Sequence, residues 1–119
     1  MELDYFDKLA LSTFTSLEKQ SFFQLLSGAM IVDGQRDQRE IAVINSICNA
    51  MHFTIAEHEA SRKHNFDTLV GILRKMDNTK KAIVGKYMAR VVMADGVITP
   101  KEEQFFYQMK DILQLPDID

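Results

Sequence analysis

The residues of this 119-residue chain best suited to chemistry are four carboxylates in two matching groups. Asp33-Gly34 is followed, after five residues, by Glu40, and Asp95-Gly96 is followed at the same spacing by Glu102. Asp33 and Asp95 are 62 positions apart, as are Glu40 and Glu102. Carboxylates are hard oxygen donors, which suits Mg²⁺ or Ca²⁺ ahead of Zn²⁺, a metal more at home with His and Cys. The competing use is structural. Glutamate at the third position of a helix bonds back to the capping residue's amide, and such caps contribute about 1 kcal/mol. That accounts for Glu40 and Glu102 but not for Asp33 and Asp95. The aspartates stand at helix ends, where the dipole disfavours an anion by roughly 0.3–1 kcal/mol. Ion pairs with Arg36, Arg39, Arg90 or Lys101 are the structural alternative for them.

The spacing also fits the second half of a calcium-binding EF-hand loop, with Ile98 at its apolar position. The earlier ligand positions are Val91 and Met93 in one copy and Ala29 and Ile31 in the other. Hydrocarbon in place of oxygen donors excludes that loop.

The elements that must position these acids are helices. Thr15-Ser16-Leu17-Glu18 is a capping box, and Phe22, Leu25, Leu26, Ala29 and Met30 then mark one helical face. Gly34 suits the turn after a helix end. A second helix from Asp37 carries Val43, Ile44, Ile47, Ala50 and Met51. Thr54 to Glu57 is another capping box and opens a short polar helix, and a fourth helix spans residues 65–76. Asn78 or Thr79 caps a fifth, with Val84, Tyr87, Met88, Val91 and Val92 inward, stopped by Gly96. Thr99-Pro100-Lys101-Glu102 opens the sixth with a cap, a first-position proline and a third-position glutamate. Its stripe is Phe105, Phe106, Met109, Ile112 and Leu113. A short helix capped by Asp4 precedes all of these.

A shift of 62 carries the first two stripes onto the last two, and all ten resulting pairs are apolar on both sides. No segment alternates with period two. The expected fold is therefore all-α: a single-domain bundle of about six or seven helices containing two pseudo-symmetric hairpins. The hairpins cover about 15–53 and 78–115, joined by connecting helices over 54–77 and preceded by a short extension or helix over 1–14. The stripes place all four carboxylates on the core-facing side of their helices, whereas a solvated charge belongs on the outer face. Gly28 and Gly85, inside helices, predict close helix crossings.

Composition narrows the function class. The chain is 46% hydrophobic and 26% charged with net charge −3, so it is globular and lacks the basic footprint of a nucleic-acid binder. The single cysteine, Cys48, cannot form an internal disulfide, and the acidic start lacks the shape of a signal peptide. A cytoplasmic protein with no membrane insertion is expected. His58 and His64, six apart, do not share a helical face and read as parts of a solvated helix. Cys48 reads as an inert buried thiol and the methionines as core filler. Arg74, Lys75, Lys80 and Lys81 read as a solvent-facing cluster.

A helix leading into Ala94-Asp95-Gly96-Val97-Ile98, then Glu102 and a second helix, with a looser Val32-Asp33-Gly34 copy upstream, resembles the TerB-like domain of tellurite resistance. That superfamily includes the N-terminal domain of the DjlA membrane co-chaperone. The resemblance covers residues 15–116, including Phe53-Thr54-Ile55-Ala56-Glu57. The first copy departs from it, with Val32 for the usual Ala and Arg36 for a small apolar residue. The resemblance implies an all-helical stress-response or interaction module, often part of larger assemblies. It also implies a divalent metal held by Asp33, Glu40, Asp95 and Glu102, and no catalytic residue. The function expected is therefore a non-enzymatic module with a protein partner and a divalent cation. The alternatives are a co-chaperone-like interaction domain without metal and, behind it, a carboxylate-metal hydrolase.

Overall fold

A computed structural model describes residues 3–32, 37–94 and 96–116. Among them are seven helices and no strand: α1 (Tyr5–Ser12), α2 (Ser16–Ile31), α3 (Gln38–Met51), α4 (Ile55–Ser61), α5 (Phe66–Arg74), α6 (Asn78–Met93) and α7 (Pro100–Ile112). The all-α bundle expected from periodicity is the observed fold. No helix of the described residues is long and apolar enough to cross a membrane.

Local chemistry sets the helix starts. Thr15, Thr54 and Thr99 each accept from the third-residue amide while Glu18, Glu57 and Glu102 bond back, making three capping boxes. Helix α6 starts one residue earlier than expected. Asp77, rather than Asn78 or Thr79, is the cap, its carboxylate accepting from the Lys80 amide at 2.9 Å. At the far end of α6, Gly96 takes a left-handed φ of 80° and its N–H donates to the Met93 carbonyl at 3.0 Å. Gly34, the corresponding stop, lies outside the described residues.

The hairpin repeat is part of a longer one. The bounds of α1, shifted by 62, fall on 67–74, which is α5 apart from its first residue. Leu11 and Leu73 are both fully buried, and Phe14 and Met76 are buried just beyond their helix ends. Each half is thus a three-helix unit, α1–α2–α3 and α5–α6–α7, with α4 as the connector. The first helix of each unit packs on the second helix of the other, α1 on α6 and α5 on α2. Lys80 Nζ donates to Glu18 Oε1 at 2.8 Å, and these two residues are themselves 62 apart. Contact between equivalent positions puts the pseudo-twofold axis between them.

The stripes are core as expected, with one correction at the end of α7. Phe22, Leu26, Ala29, Ile47, Met51, Val84, Tyr87, Met88, Val91 and Leu113 are fully buried, but Ile112 is 38% exposed. Its counterpart Ala50 faces the groove that α1 forms against α3, whereas α5 makes no comparable packing on α7. Gly28 does not mark a close backbone crossing. A side chain there would meet the Phe105 ring of α7 at 3.7 Å, an ordinary contact.

Candidate functional site

The two glutamates lie where the sequence puts them. Glu40 is 3% exposed and Glu102 1% exposed, each in the first turn of the third helix of its unit. Glu102 completes its capping box: the Thr99 N–H donates to Oε1 at 3.1 Å, and the Glu102 N–H donates to Thr99 Oγ1 at 3.2 Å. At α3 the Asp37 carboxylate caps the helix, accepting from the Arg39 amide at 2.7 Å and pairing with the Arg39 guanidinium at 3.1 Å. Burial separates Glu102 from an ordinary capping residue. Glu18 and Glu57 fill the same role in α2 and α4, yet both remain half-buried. Capping does not require a carboxylate to leave water, and burial of one costs free energy unless it is compensated.

The Phe105 ring, less than one turn past Glu102, lies on the Gly28 stretch of α2 that leads towards Asp33. The first unit does the same in reverse, with α3 packed on α6. Asp33 and Asp95, the other predicted ligands, lie outside the described residues. Among the described residues, no three His, Cys, Asp or Glu side chains form a group able to hold a metal ion. Glu40 and Glu102 are buried at equivalent positions of the repeat. Of the cations considered as partners for these acids, Arg39 pairs with Asp37 and Arg90 lies over the Tyr87 ring at 5.1 Å, each with further interactions, and Lys101 is exposed. Arg36 lies outside the described residues.

A polar cluster that sequence reasoning missed joins α1 to α6. Asp7, 8% exposed, accepts from Lys86 Nζ at 2.6 Å and from the hydroxyl of fully buried Tyr87. Burial alone would raise the Asp7 carboxyl. The bonds from Lys86 and Tyr87, with the charges of Lys86 and Arg90, outweigh burial and hold it below the ordinary aspartate value. The matching place on α5 holds Leu69, so no periodicity pointed to an acid here.

Other polar residues are more engaged than expected. His58 is half-buried, its ring meeting Phe23 edge-on at 4.9 Å, and His64 Nε2 shares a 2.8 Å hydrogen bond with Gln20 Oε1. Lys81 is only 8% exposed and Lys80 pairs with Glu18, so of the basic cluster only Arg74 and Lys75 face solvent freely. Cys48 is half-buried, and desolvation pushes its thiol up to about 11, which is the inert behaviour expected.

No family model matches the chain, and no curated protein matches it. Among solved structures, the fold is similar to that of a protein of unknown function from Porphyromonas gingivalis W83. The two share 20% identity and a TM-score of 0.74 over 88% of this chain and 89% of that one, a likeness of fold.

Proposed function

We propose that this chain is a non-enzymatic, TerB-like interaction module of the cytoplasm whose acidic end takes a divalent cation, Mg²⁺ or Ca²⁺ ahead of Zn²⁺. The ligands in this reading are Asp33, Glu40, Asp95 and Glu102. The observation that carries it is the burial of Glu40 and Glu102, at 3% and 1% exposure, at equivalent positions of the repeat. A cation there would offset the cost of burying the two glutamate carboxylates.

The test is thermal unfolding in chelator and in millimolar Mg²⁺, Ca²⁺, Mn²⁺ or Zn²⁺, for wild type and for Asp95→Asn and Glu102→Gln. Glutamine keeps the third-position cap, so Glu102→Gln separates capping from ligation. The expected result is a rise in wild-type Tm with Mg²⁺ or Ca²⁺ that both variants lose. A wild-type Tm indifferent to every ion sinks the cation reading.

One observation favours a second reading, a co-chaperone-like surface that works without metal. Met93, Val97, Ile98 and Tyr107 cluster around the second Asp-Gly turn at 42–62% exposure. Exposed apolar side chains gathered in one place mark protein contact sites.

A further inference from the structure

The internal repeat is a control for which surface residues the fold requires. Val97, Ile98 and Tyr107 are exposed and apolar, and the residues 62 positions before them are Gln35, Arg36 and Asn45. Asn45 is exposed as Tyr107 is, so neither place needs an aromatic ring to hold its helix. The acids differ between the units as well. Exposed Glu103 and Asp111 correspond to Ile41 and Asn49. The second unit therefore carries an apolar and acidic surface that packing does not demand.

These residues share one side of the molecule. Pro100, Glu103, Gln104, Tyr107 and Asp111 recur at helical spacing along α7, and open cavities of about 270, 240 and 370 Å³ all border Tyr107. From Pro100 to Asp111 the helical rise gives about 16 Å, roughly three turns. Met93 and Ile98 flank the face on the α6 side. Among the described residues α7 packs on α6 and α2, and α5 makes no packing on it comparable to that of α1 on α3.

Charge selects what covers the face. Glu103 lines two of the three cavities and Asp111 the third, and among the described residues neither forms an ion pair. Lys110, the cation on this face, is half-buried and has an interaction of its own. An uncharged partner would strip water from Glu103 without compensation. A Lys or Arg covers the apolar residues with its stem while its charge meets the carboxylate. A second copy is disfavoured, because a twofold antiparallel pair of α7 helices centred on Tyr107 sets Glu103 of each chain beside Asp111 of the other. We propose that this face of α7 receives a basic amphipathic helix of a protein partner, one with Lys or Arg beside its apolar stripe. The proposal rests on the second reading above, a contact surface that works without metal, and names its partner's chemistry.

The test uses the 119-residue chain, ¹⁵N-labelled, in chelator. The probe is a synthetic peptide of about fourteen residues with leucine at 3,4,3 spacing, arginine flanking that stripe and alanine elsewhere. A second peptide has glutamate in place of every arginine. The arginine peptide is expected to shift amides at residues 93, 97, 98 and 100–111, and the glutamate peptide to bind at least tenfold more weakly. Tyr107→Asn, which matches the first unit at a place exposed in both, should weaken binding at least tenfold with unchanged urea stability. Glu103→Gln should weaken it about threefold, the scale of an exposed ion pair. Glu59→Gln, which removes the same charge from an exposed place on α4, should leave it unchanged. Equal binding of the two peptides on this face would keep the contact surface and overturn the basic partner. Equal loss in Glu59→Gln and Glu103→Gln would reduce the effect to net charge and overturn it too. No shift there with either peptide at millimolar concentration would overturn both the partner and the surface. A concentration-dependent dimer abolished by Tyr107→Asn would give the face to a second copy instead.

Discussion

Asp7 provides the sharpest quantitative test of the repeat. It and Tyr87 stand where the other half of the molecule places Leu69 and Leu25, and all four are buried, at 8%, 0%, 8% and 2% exposure. One half thus uses a charged pair where the other uses hydrocarbon. The perturbation is Asp7→Leu, which gives α1 the residue that α5 already carries. It leaves the Tyr87 hydroxyl buried without its acceptor, a cost of roughly 1–3 kcal/mol. The Lys86 bond is lost as well, worth about 1 kcal/mol at most because the Lys86 side chain is 34% exposed and returns to water. Burial of the new leucine returns roughly 1.5 kcal/mol. We predict a net loss of about 0.5–2.5 kcal/mol in urea unfolding with an unchanged m value. The double variant Asp7→Leu/Tyr87→Phe removes both polar partners and should recover to within about 1 kcal/mol of wild type, a coupling of about 1–2 kcal/mol. The reasoning fails if Asp7→Leu is as stable as wild type, or if the two single changes simply add. The wild type also carries a pH signature. Because the folded Asp7 carboxyl titrates below its unfolded value, its contribution is complete above the ordinary aspartate range near pH 4 and is lost as pH falls through the folded pKa. Asp7→Leu should flatten the acid limb of the stability curve.

Ser21 is fully buried and its hydroxyl has no hydrogen-bond partner, while Ile83 fills the matching place on α6. Ser21→Ala should therefore stabilise by roughly 1 kcal/mol, and a loss in urea unfolding would show that the hydroxyl is satisfied in solution. Gly96 has φ 80° with open space where a Cβ would stand, so Gly96→Ala should cost only the backbone strain, about 1 kcal/mol; a loss beyond 3 kcal/mol in the same assay would reveal packing at the turn. With its thiol pushed up to about 11, Cys48 should react with a disulfide reagent at pH 8 roughly a hundredfold more slowly in the native chain than in denaturant. Comparable rates would contradict its burial.

What was legible in the sequence was what local chemistry decides. Thr99, Pro100 and Glu102 specify the α7 start within four residues, and the observed cap, first position and capping box are those three. The start of α6 was off by one because Asp77, Asn78 and Thr79 are all capable caps, and only the folded chain shows which carboxylate faces the amide. The α1–α5 equivalence escaped notice because an eight-residue helix offers few inward positions. Asp7 against Leu69 breaks the pattern, leaving little beyond Leu11 with Leu73. The contacts of His58 and His64 and the burial of Lys81 depend on partners more than thirty residues away or on another helix, which periodicity does not record. At the candidate site the stripes gave the inward direction of Glu40 and Glu102 correctly, since that follows from register alone.

The repeat itself separates what packing demands from what it does not. Between residues 15–53 and 77–115 the identical pairs are Lys19 with Lys81, Asp33 with Asp95, Gly34 with Gly96, and Glu40 with Glu102. The core pairs have all drifted, Phe22 to Val84 and Leu25 to Tyr87 among them, because burial asks only for apolar volume that its neighbours can fill. At the axis the two halves have to differ, since two glutamates or two lysines at positions 18 and 80 would repel where Glu18 and Lys80 now pair. Gly96 is held by its left-handed backbone and Glu102 by its cap, so each of those identities has a local cause. Asp33 and Asp95 lie outside the described residues. A carboxylate after a helix end opposes the dipole, and neither turn nor cap requires it. Identity at Asp33 and Asp95, in the same motifs as two buried glutamates, is what the proposed cation would account for.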